Sequence, residues 1–334
     1  MIRIKRYVDL NHEEDICLNE YIIKVEARIL PYHTTGFSRV IDEVFRYENH
    51  SLVAIDEHNE VIGYLPQWKK GDIIESTPWR DKGGSTCHSN DVVTLFIEET
   101  KKIIRRYPAR GFLWKDFETP LLDSYQHFVN VDIDLAKYDP EMYWNRISFK
   151  VRGKIKNAEK NGLVFKVERG VDIQNAVYSF YRLFVLNRRR LGVPVYPVVL
   201  FESYFKNIPP DQIKMFTVYR DNVLLAALVL LHNRYSAVDA YSASSDIGLK
   251  LKANDMMIYN VVRYCMENNI RHFDFGADSP HQKSLIKYKL KWLGEQRIVT
   301  TSFFGNVKEV DHNEAKYDLI KKRHHSIVRT LPDV

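Results

Sequence analysis

Cysteine is scarce in this chain. Only Cys17, Cys87 and Cys265 occur among 334 residues, far apart and odd in number. With no Cys-x-x-Cys pair, a disulfide framework is not supported, and the expectation is three reduced thiols. Long apolar runs are missing too. The longest, Val223–Leu231, falls far short of the roughly 20 residues that a membrane-spanning helix needs. The N-terminal stretch MIRIKRYVDLNHEED carries charge throughout and lacks the apolar centre of a secretory signal. The expected compartment is the cytoplasm. Three catalytic signatures are also absent: His-Glu-x-x-His, Gly-x-Ser-x-Gly and the Walker loop. His324 and His325 are adjacent and have no metal-ligand spacing to a cysteine. Metal catalysis and a hydrolase triad are therefore unsupported, and no metal is expected.

What is present is the balance of a soluble globular protein, with 45% hydrophobic and 28% charged residues. A formal charge of +6 mildly favours a polyanionic partner. Two stretches read as β-hairpins, LVAIDEHNEVIG (Leu52–Gly63) and MFTVYRDNVLLA (Met215–Ala226), each with a polar tip between apolar runs. A helix follows each, over Asp91–Tyr107 and Asn254–Asn268, and a strand follows each helix, at Gly111–Glu118 and Ile270–Ala277. This repetition predicts a duplicated α/β module: a first over 1–143 and a second over 144–310. A further strand is expected at Phe128–Leu135, and a tail helix at 313–330 can pack on either module.

Four stretches carry chemistry. WNRISFKVRGKIKNAEKNG (Trp144–Gly162) has an apolar stripe, Ile147, Val151, Ile155 and Ala158, and two rows of cations. One row is Arg146, Lys150 and Lys154; the other is Arg152, Lys156 and Lys160. Like charges four apart repel, and phosphate is the natural anion to compensate them. Arg188-Arg189-Arg190 precedes a turn and suits an acidic group. Asp274 and Gly276 end the strand in FDFGADSP, at the carboxyl edge where open α/β sheets bind ligands. In YKLKW, Lys289 and Lys291 sit among large aromatics, where a lysine can face a developing oxyanion or reach to water. A fifth stretch, STPWRDKGG (Ser76–Gly84), packs a Trp, two cations and an acid into what otherwise reads as a surface turn.

The runs RGKIKNAEKNGL, LFVLNRRRLGVP, YSASSD, KANDMMIY, FDFG and YKLKW, in this order and spacing, resemble the FemAB-like, or BioF2-like, branch of the GNAT acyltransferases. The resemblance runs from about residue 50 to about residue 295 and takes in STPWRDKGG. It implies mixed α/β sheets in tandem GNAT-like modules with a cleft between them. It also implies N-acyl transfer without a covalent enzyme intermediate, as in Fem enzymes, which move amino acids from aminoacyl-tRNA to peptidoglycan precursors. By this resemblance Lys289 faces the reacting carbonyl. Asp116, like Asp274, is a candidate base, and the choice between the two stays open. Trp79, Asp81, Arg189, Tyr241 and Asn254 bind substrate, with Trp79 and Asp81 in a loop that walls the acceptor side. Where coenzyme-A-dependent members have a Gly-rich phosphate loop, this chain reads GLKLKAND, so Lys250 and Lys252, with Lys150 and Arg152, are the expected phosphate ligands. That departure shifts the expected donor from acyl-CoA towards aminoacyl-tRNA. The expected acceptor is a small-molecule or lipid-linked amine, with tRNA a partner if it carries the acyl group. The competing reading is a non-catalytic RNA-binding or scaffold protein that uses the 146–160 helix.

Overall fold

The computed structural model describes residues 2–26, 29–87, 89–116, 122–168 and 172–305. The expected tail helix at 313–330 lies outside the described residues. The chain opens with β1 (Arg3–Arg6), α1 (His12–Lys24) and α2 (Thr35–Phe45). Short strands follow: β2 (Glu48–Asn49), β3 (Leu52–Ile55), β4 (Val61–Leu65), β5 (Gln67–Lys70) and β6 (Ile73–Ser76). Helix α3 (Asn90–Arg106) leads to β7 (Gly111–Asp116) and β8 (Ser124–Asp134). Next come α4 (Pro140–Arg146), α5 (Phe149–Lys160), β9 (Val164–Glu168), α6 (Asp172–Leu191) and α7 (Val198–Asn207). A meander of β10 (Ile213–Arg220), β11 (Val223–His232) and β12 (Ser236–Ser244) precedes α8 (Asp246–Lys250) and α9 (Ala253–Glu267). The last described elements are β13 (His272–Asp278), α10 (Lys283–Leu290) and β14 (Glu295–Gly305).

The chain divides into two compact units. The first comprises Met1–Asp132, Gly276–Lys287 and the segment from Glu295; the second comprises Ile133–Phe275 and Tyr288–Gly294. In the first unit the strand order is β2-β5-β6-β7-β14-β8. Strands β6 and β7 run parallel and the other neighbours antiparallel. Because β6 and β7 are parallel, a crossover must join them, and α3 supplies it. Its stripe of Val92, Phe96 and Ile103 packs into a core with Ile74 and Phe112. The expected hairpin at Leu52–Gly63 forms, but it pairs with β1 in a separate three-stranded sheet. The strand that feeds α3 is therefore β6. Pro66, between β4 and β5, has no N–H to give to a ladder, and the chain changes sheets there. All of β3 is buried, because its two faces serve two cores. Leu52 and Ala54 join the cluster under α3, while Val53 and Ile55 join Leu18 and Ile22 of α1.

In the second unit the order is β13-β12-β11-β10-β9, with β12 and β13 parallel and α9 as the crossover. The apolar run of β11 is buried from Leu225 onward, as a strand covered on both faces should be. Met257, Val261 and Cys265 form the buried stripe of α9, and Phe180 and Phe184 belong to that of α6. The basic stretch at 144–162 is two helices. Ser148 caps α5 by accepting from the Val151 N–H, and the chain breaks at Ile147. The stripe of Val151, Ile155 and Ala158 is buried as its spacing predicts.

Candidate active site

In the second unit the parallel pair β12–β13 opens beside a register shift. The parallel ladder of β12 with β13 runs from Ser236↔His272 to Val238↔Asp274 and ends there, while β12 continues to Ser244. On its other side β12 slips register against β11, with Leu230 opposite Asp239 and Val229 opposite Tyr241. Ala240 is the extra residue of this bulge. A bulge re-aims the side chains that follow it, and Tyr241 turns into an aromatic box. Its ring centroid lies 5.1 Å from Phe201, 5.7 Å from Tyr196 and 6.1 Å from Phe184. Its hydroxyl lies 3.4 Å from that of Tyr204. The Arg188 guanidinium covers the box, 4.7 Å from the Phe184 ring.

Asp274 and Lys289 are each only 7% exposed, so both candidate charges face inward. Lys289 lies in the last turn of α10, and the segment after it is pinned within the second unit. The Tyr143 hydroxyl donates to the Trp292 carbonyl at 3.0 Å, and Lys291 pairs with Asp255 in the first turn of α9. Lys291 also stands 3.8 Å over the Tyr288 ring. Burial pushes the Lys291 ammonium below its ordinary pKa, and nearby Lys154 and Lys252 lower it further, against the pull of Asp255. Burial pushes the Tyr288 phenol up, with Asp255 adding to the shift. Lys291 thus pairs with an acid at the N-terminus of a 15-residue helix, with Lys154 and Lys252 near enough to act on its charge. The Asp255–Lys291 pair was missed by sequence reasoning. Its signals were an acid in a helix first turn and a lysine between aromatics.

The other expected residues fall as follows. Asn254 accepts from the Ser244 hydroxyl and so ties α9 to the end of β12. The Ser244 carbonyl accepts from Asn187 at 3.1 Å. Arg189 is half-buried on α6; its neighbour Arg190 pairs with Asp246 at 2.9 Å. Arg152 donates from Nη1 to the carbonyls of Trp144, Asn145 and Ile147, closing the end of α4. Lys150 and Lys250 are exposed and Lys252 half-buried.

In the first unit, the Thr77–Gly84 loop follows β6 and lies against β7: the Gly83 N–H donates to the Lys115 carbonyl at 2.7 Å. Asp116 closes β7 beside it, in register with Thr300 of β14. The loop's chemistry largely faces its own unit. Trp79 stacks on Phe45 at 5.1 Å, with the Lys70 ammonium 4.4 Å from its ring. Arg80 lies 5.6 Å from the rings of both Tyr32 and Phe37. Lys82 is fully buried and donates to Asn130 at 2.6 Å. The Asp81 carboxylate accepts from the Ala277 N–H. Burial pushes Asp81 up, but Lys82, that N–H and Arg80 together hold it below the usual carboxylate range. A side chain at Gly83 would run into Thr77 Oγ1, so the turn closes only with glycine there. A separate cavity of about 300 Å³, lined by Tyr21, Lys24, Glu60, Thr86 and Cys87 among others, includes none of the expected site residues.

Residues 147–290 match the family model of the acetyltransferase (GNAT) domain. No curated protein matches the chain. Among solved structures, the chain is similar to FemX at 13% identity and a TM-score of 0.68, covering 96% of this chain and 100% of that one. It is similar to L-PGS from Bacillus licheniformis at 10% identity and a TM-score of 0.60, covering 94% and 96%. A tandem GNAT protein from the clavulanic acid biosynthesis pathway aligns at 9% identity and a TM-score of 0.53, covering 91% and 98%. At these identities the structures speak for the fold alone. Residues 147–290 match the acetyltransferase (GNAT) domain, and the chain has the fold of FemX and of the tandem GNAT protein.

Proposed function

We propose that this protein transfers an acyl or aminoacyl group to an amine by direct attack. The observation that carries this reading is the opening of the β12–β13 ladder at Asp274, next to the Ala240 bulge, with Lys289 buried in the same unit. The acceptor amine, mostly protonated at neutral pH with a pKa of about 10.4, gives its proton to Asp274 or Asp116. Its nitrogen then bonds to the acyl carbon, and the bond to the donor's oxygen or sulfur breaks as that atom takes up the second proton the nitrogen sheds. Lys289 holds the transient oxyanion. Lys150, Lys250 and Lys252 receive the donor's phosphates. Arg152, which donates to the carbonyls at the end of α4, supports the turn from α4 into α5. Trp79, Asp81, Arg189, Tyr241 and Asn254 shape and orient the substrate pockets. The departure at GLKLKAND favours aminoacyl-tRNA over acyl-CoA as donor. The likeness to the Fem branch favours a cell-envelope or polysaccharide precursor, lipid-linked or small, as acceptor.

The test is transfer from aminoacyl-tRNA and from acyl-CoA to a panel of amines, with Lys289→Ala beside the parent. Loss of about a hundredfold in kcat is expected of the variant; an unchanged rate removes Lys289 from the chemistry. RNA binding with no transfer to any amine would favour the non-catalytic reading.

A further inference from the structure

The cavity of about 300 Å³ in the first unit takes no part in the proposed transfer, and its walls are tied together. Three segments build it: the end of α1, the start of β4 and the chain that leads into α3. The Tyr21 hydroxyl donates to the Ile62 carbonyl at 3.3 Å, and the Thr86 N–H donates to the Tyr64 carbonyl at 2.8 Å. The Thr86 hydroxyl donates to that of Tyr21 at 3.2 Å, so each segment holds the other two. Gly63 leaves room for Cys87 in the wall, since a Cβ there would come within 3.1 Å of the Cys87 Cβ. The Cys87 sulfur accepts from the Ser89 N–H at 3.2 Å, and burial pushes its pKa up, so it stays a thiol at neutral pH. These polar groups already have partners. Two charged groups on the lining do not. Lys24 and Glu60 are exposed, line the cavity, and make no ion pair with each other or with any other of the described residues. Val25, Val61 and Ile62 give the lining its apolar part.

A volume of about 300 Å³ is at the small end of ligand sites, which selects a molecule of few heavy atoms. A lone anion in this cavity would meet Glu60, and a lone cation would meet Lys24. A small zwitterion answers both charges at once. We propose that the cavity binds a free aliphatic α-amino acid. Lys24 takes its carboxylate, Glu60 takes its ammonium, and the side chain lies against Val25, Val61 and Ile62. None of the residues proposed for catalysis or donor binding lines this cavity, so it is a second site and not an arm of the first. The inference goes beyond the proposed acyl transfer, and its test needs none.

The experiment is alkylation of the full chain by iodoacetamide, with mass spectrometry following Cys87 and Cys17 in one sample. Both thiols are half-buried, and Cys17 is not on the cavity lining, so it serves as the internal control. L-Leucine at millimolar concentration is expected to slow labelling of Cys87 saturably and to leave Cys17 unchanged. Isoamylamine, which lacks the carboxylate, and isocaproate, which lacks the ammonium, should each need about tenfold more for the same protection. Lys24→Gln and Glu60→Gln should each raise the half-protecting leucine concentration about tenfold. Both side chains are exposed, and circular dichroism checks that the variants are folded. Three results overturn the proposal: no protection by leucine, equal protection by isoamylamine or isocaproate, or folded variants protected like the parent. Equal slowing at Cys17 would mean a general tightening of the chain and also overturns it.

Discussion

Each unit has a parallel strand pair, and in each the loop from the first strand to the crossover helix carries unusual residues. The two loops handle them in opposite ways. Thr77–Gly84, after β6, turns its charges inward: Lys82 is fully buried against Asn130, and Asp81 holds the Ala277 N–H. Ser245–Lys252, after β12, leaves Lys250, Ile247 and Leu249 exposed and enters α9 through Lys252 in the left-handed region, φ 67°, with no side-chain cap. A buried charge needs its partners fixed, so the first loop is a rigid scaffold. The second starts its helix without a side-chain cap and beside cations, which is why it is the segment proposed to receive the donor's anion. Similar positions in a repeated plan thus carry opposite arrangements of charge.

Substitutions can break or sharpen that contrast. The largest effect is expected from Gly83→Ala, which drives a methyl into Thr77 Oγ1 and should cost about 3 kcal/mol of stability, read from urea unfolding. A loss near zero would mean the first loop is loose after all. Acid should act next. The Leu30 N–H donates to His33 Nδ1 at 3.3 Å, and burial holds His33 neutral, its pKa pushed down to about 4 from an ordinary 6.5. His33 adjoins Tyr32, which packs under Arg80 of the loop. Below the ordinary value the unfolded chain binds the extra proton, so stability is full above pH 6.5 and falls towards pH 4. By about pH 5 the loss is about 2 kcal/mol, and His33→Gln should flatten that part of the urea-midpoint profile. In the second loop, Lys250→Gln with Lys252→Gln should raise the donor KM about tenfold, leave kcat within about twofold and reduce the salt dependence of KM. A fall in kcat at constant KM would move these lysines out of donor binding. The smallest effect concerns Gly153 of α5. No heavy atom lies within 4 Å of a Cβ built there, so Gly153→Ala should stabilise by about 0.5–1 kcal/mol in the same urea assay. A destabilised Gly153→Ala would show that this helix, too, has an inward constraint.

Local pattern carried far in this chain. Helices expected at Asp91–Tyr107 and Asn254–Asn268 occur at Asn90–Arg106 and Ala253–Glu267, because a stripe at helical spacing is a strong signal and is independent of tertiary partners. What depended on which strand finds which partner was less legible. Leu52–Gly63 looked equivalent to the second hairpin, yet Pro66 diverts it to a sheet with β1. The Ala240 bulge has no residue signature, since only its neighbours' register defines it. For the site, Lys289 and Asp274 stood out by residue type and position. The pairing of Lys291 with Asp255, 36 residues apart, and the burial of Lys82 came only with packing.

The placement of β14 has a consequence for biogenesis. Glu295–Gly305 fills the gap between β7 and β8, so the N-terminal sheet is incomplete until the ribosome has made nearly all of the other unit. Until then, β7 and β8 wait with open edges, and a fragment that stops near residue 143 would keep those edges for good, as a template for aggregation.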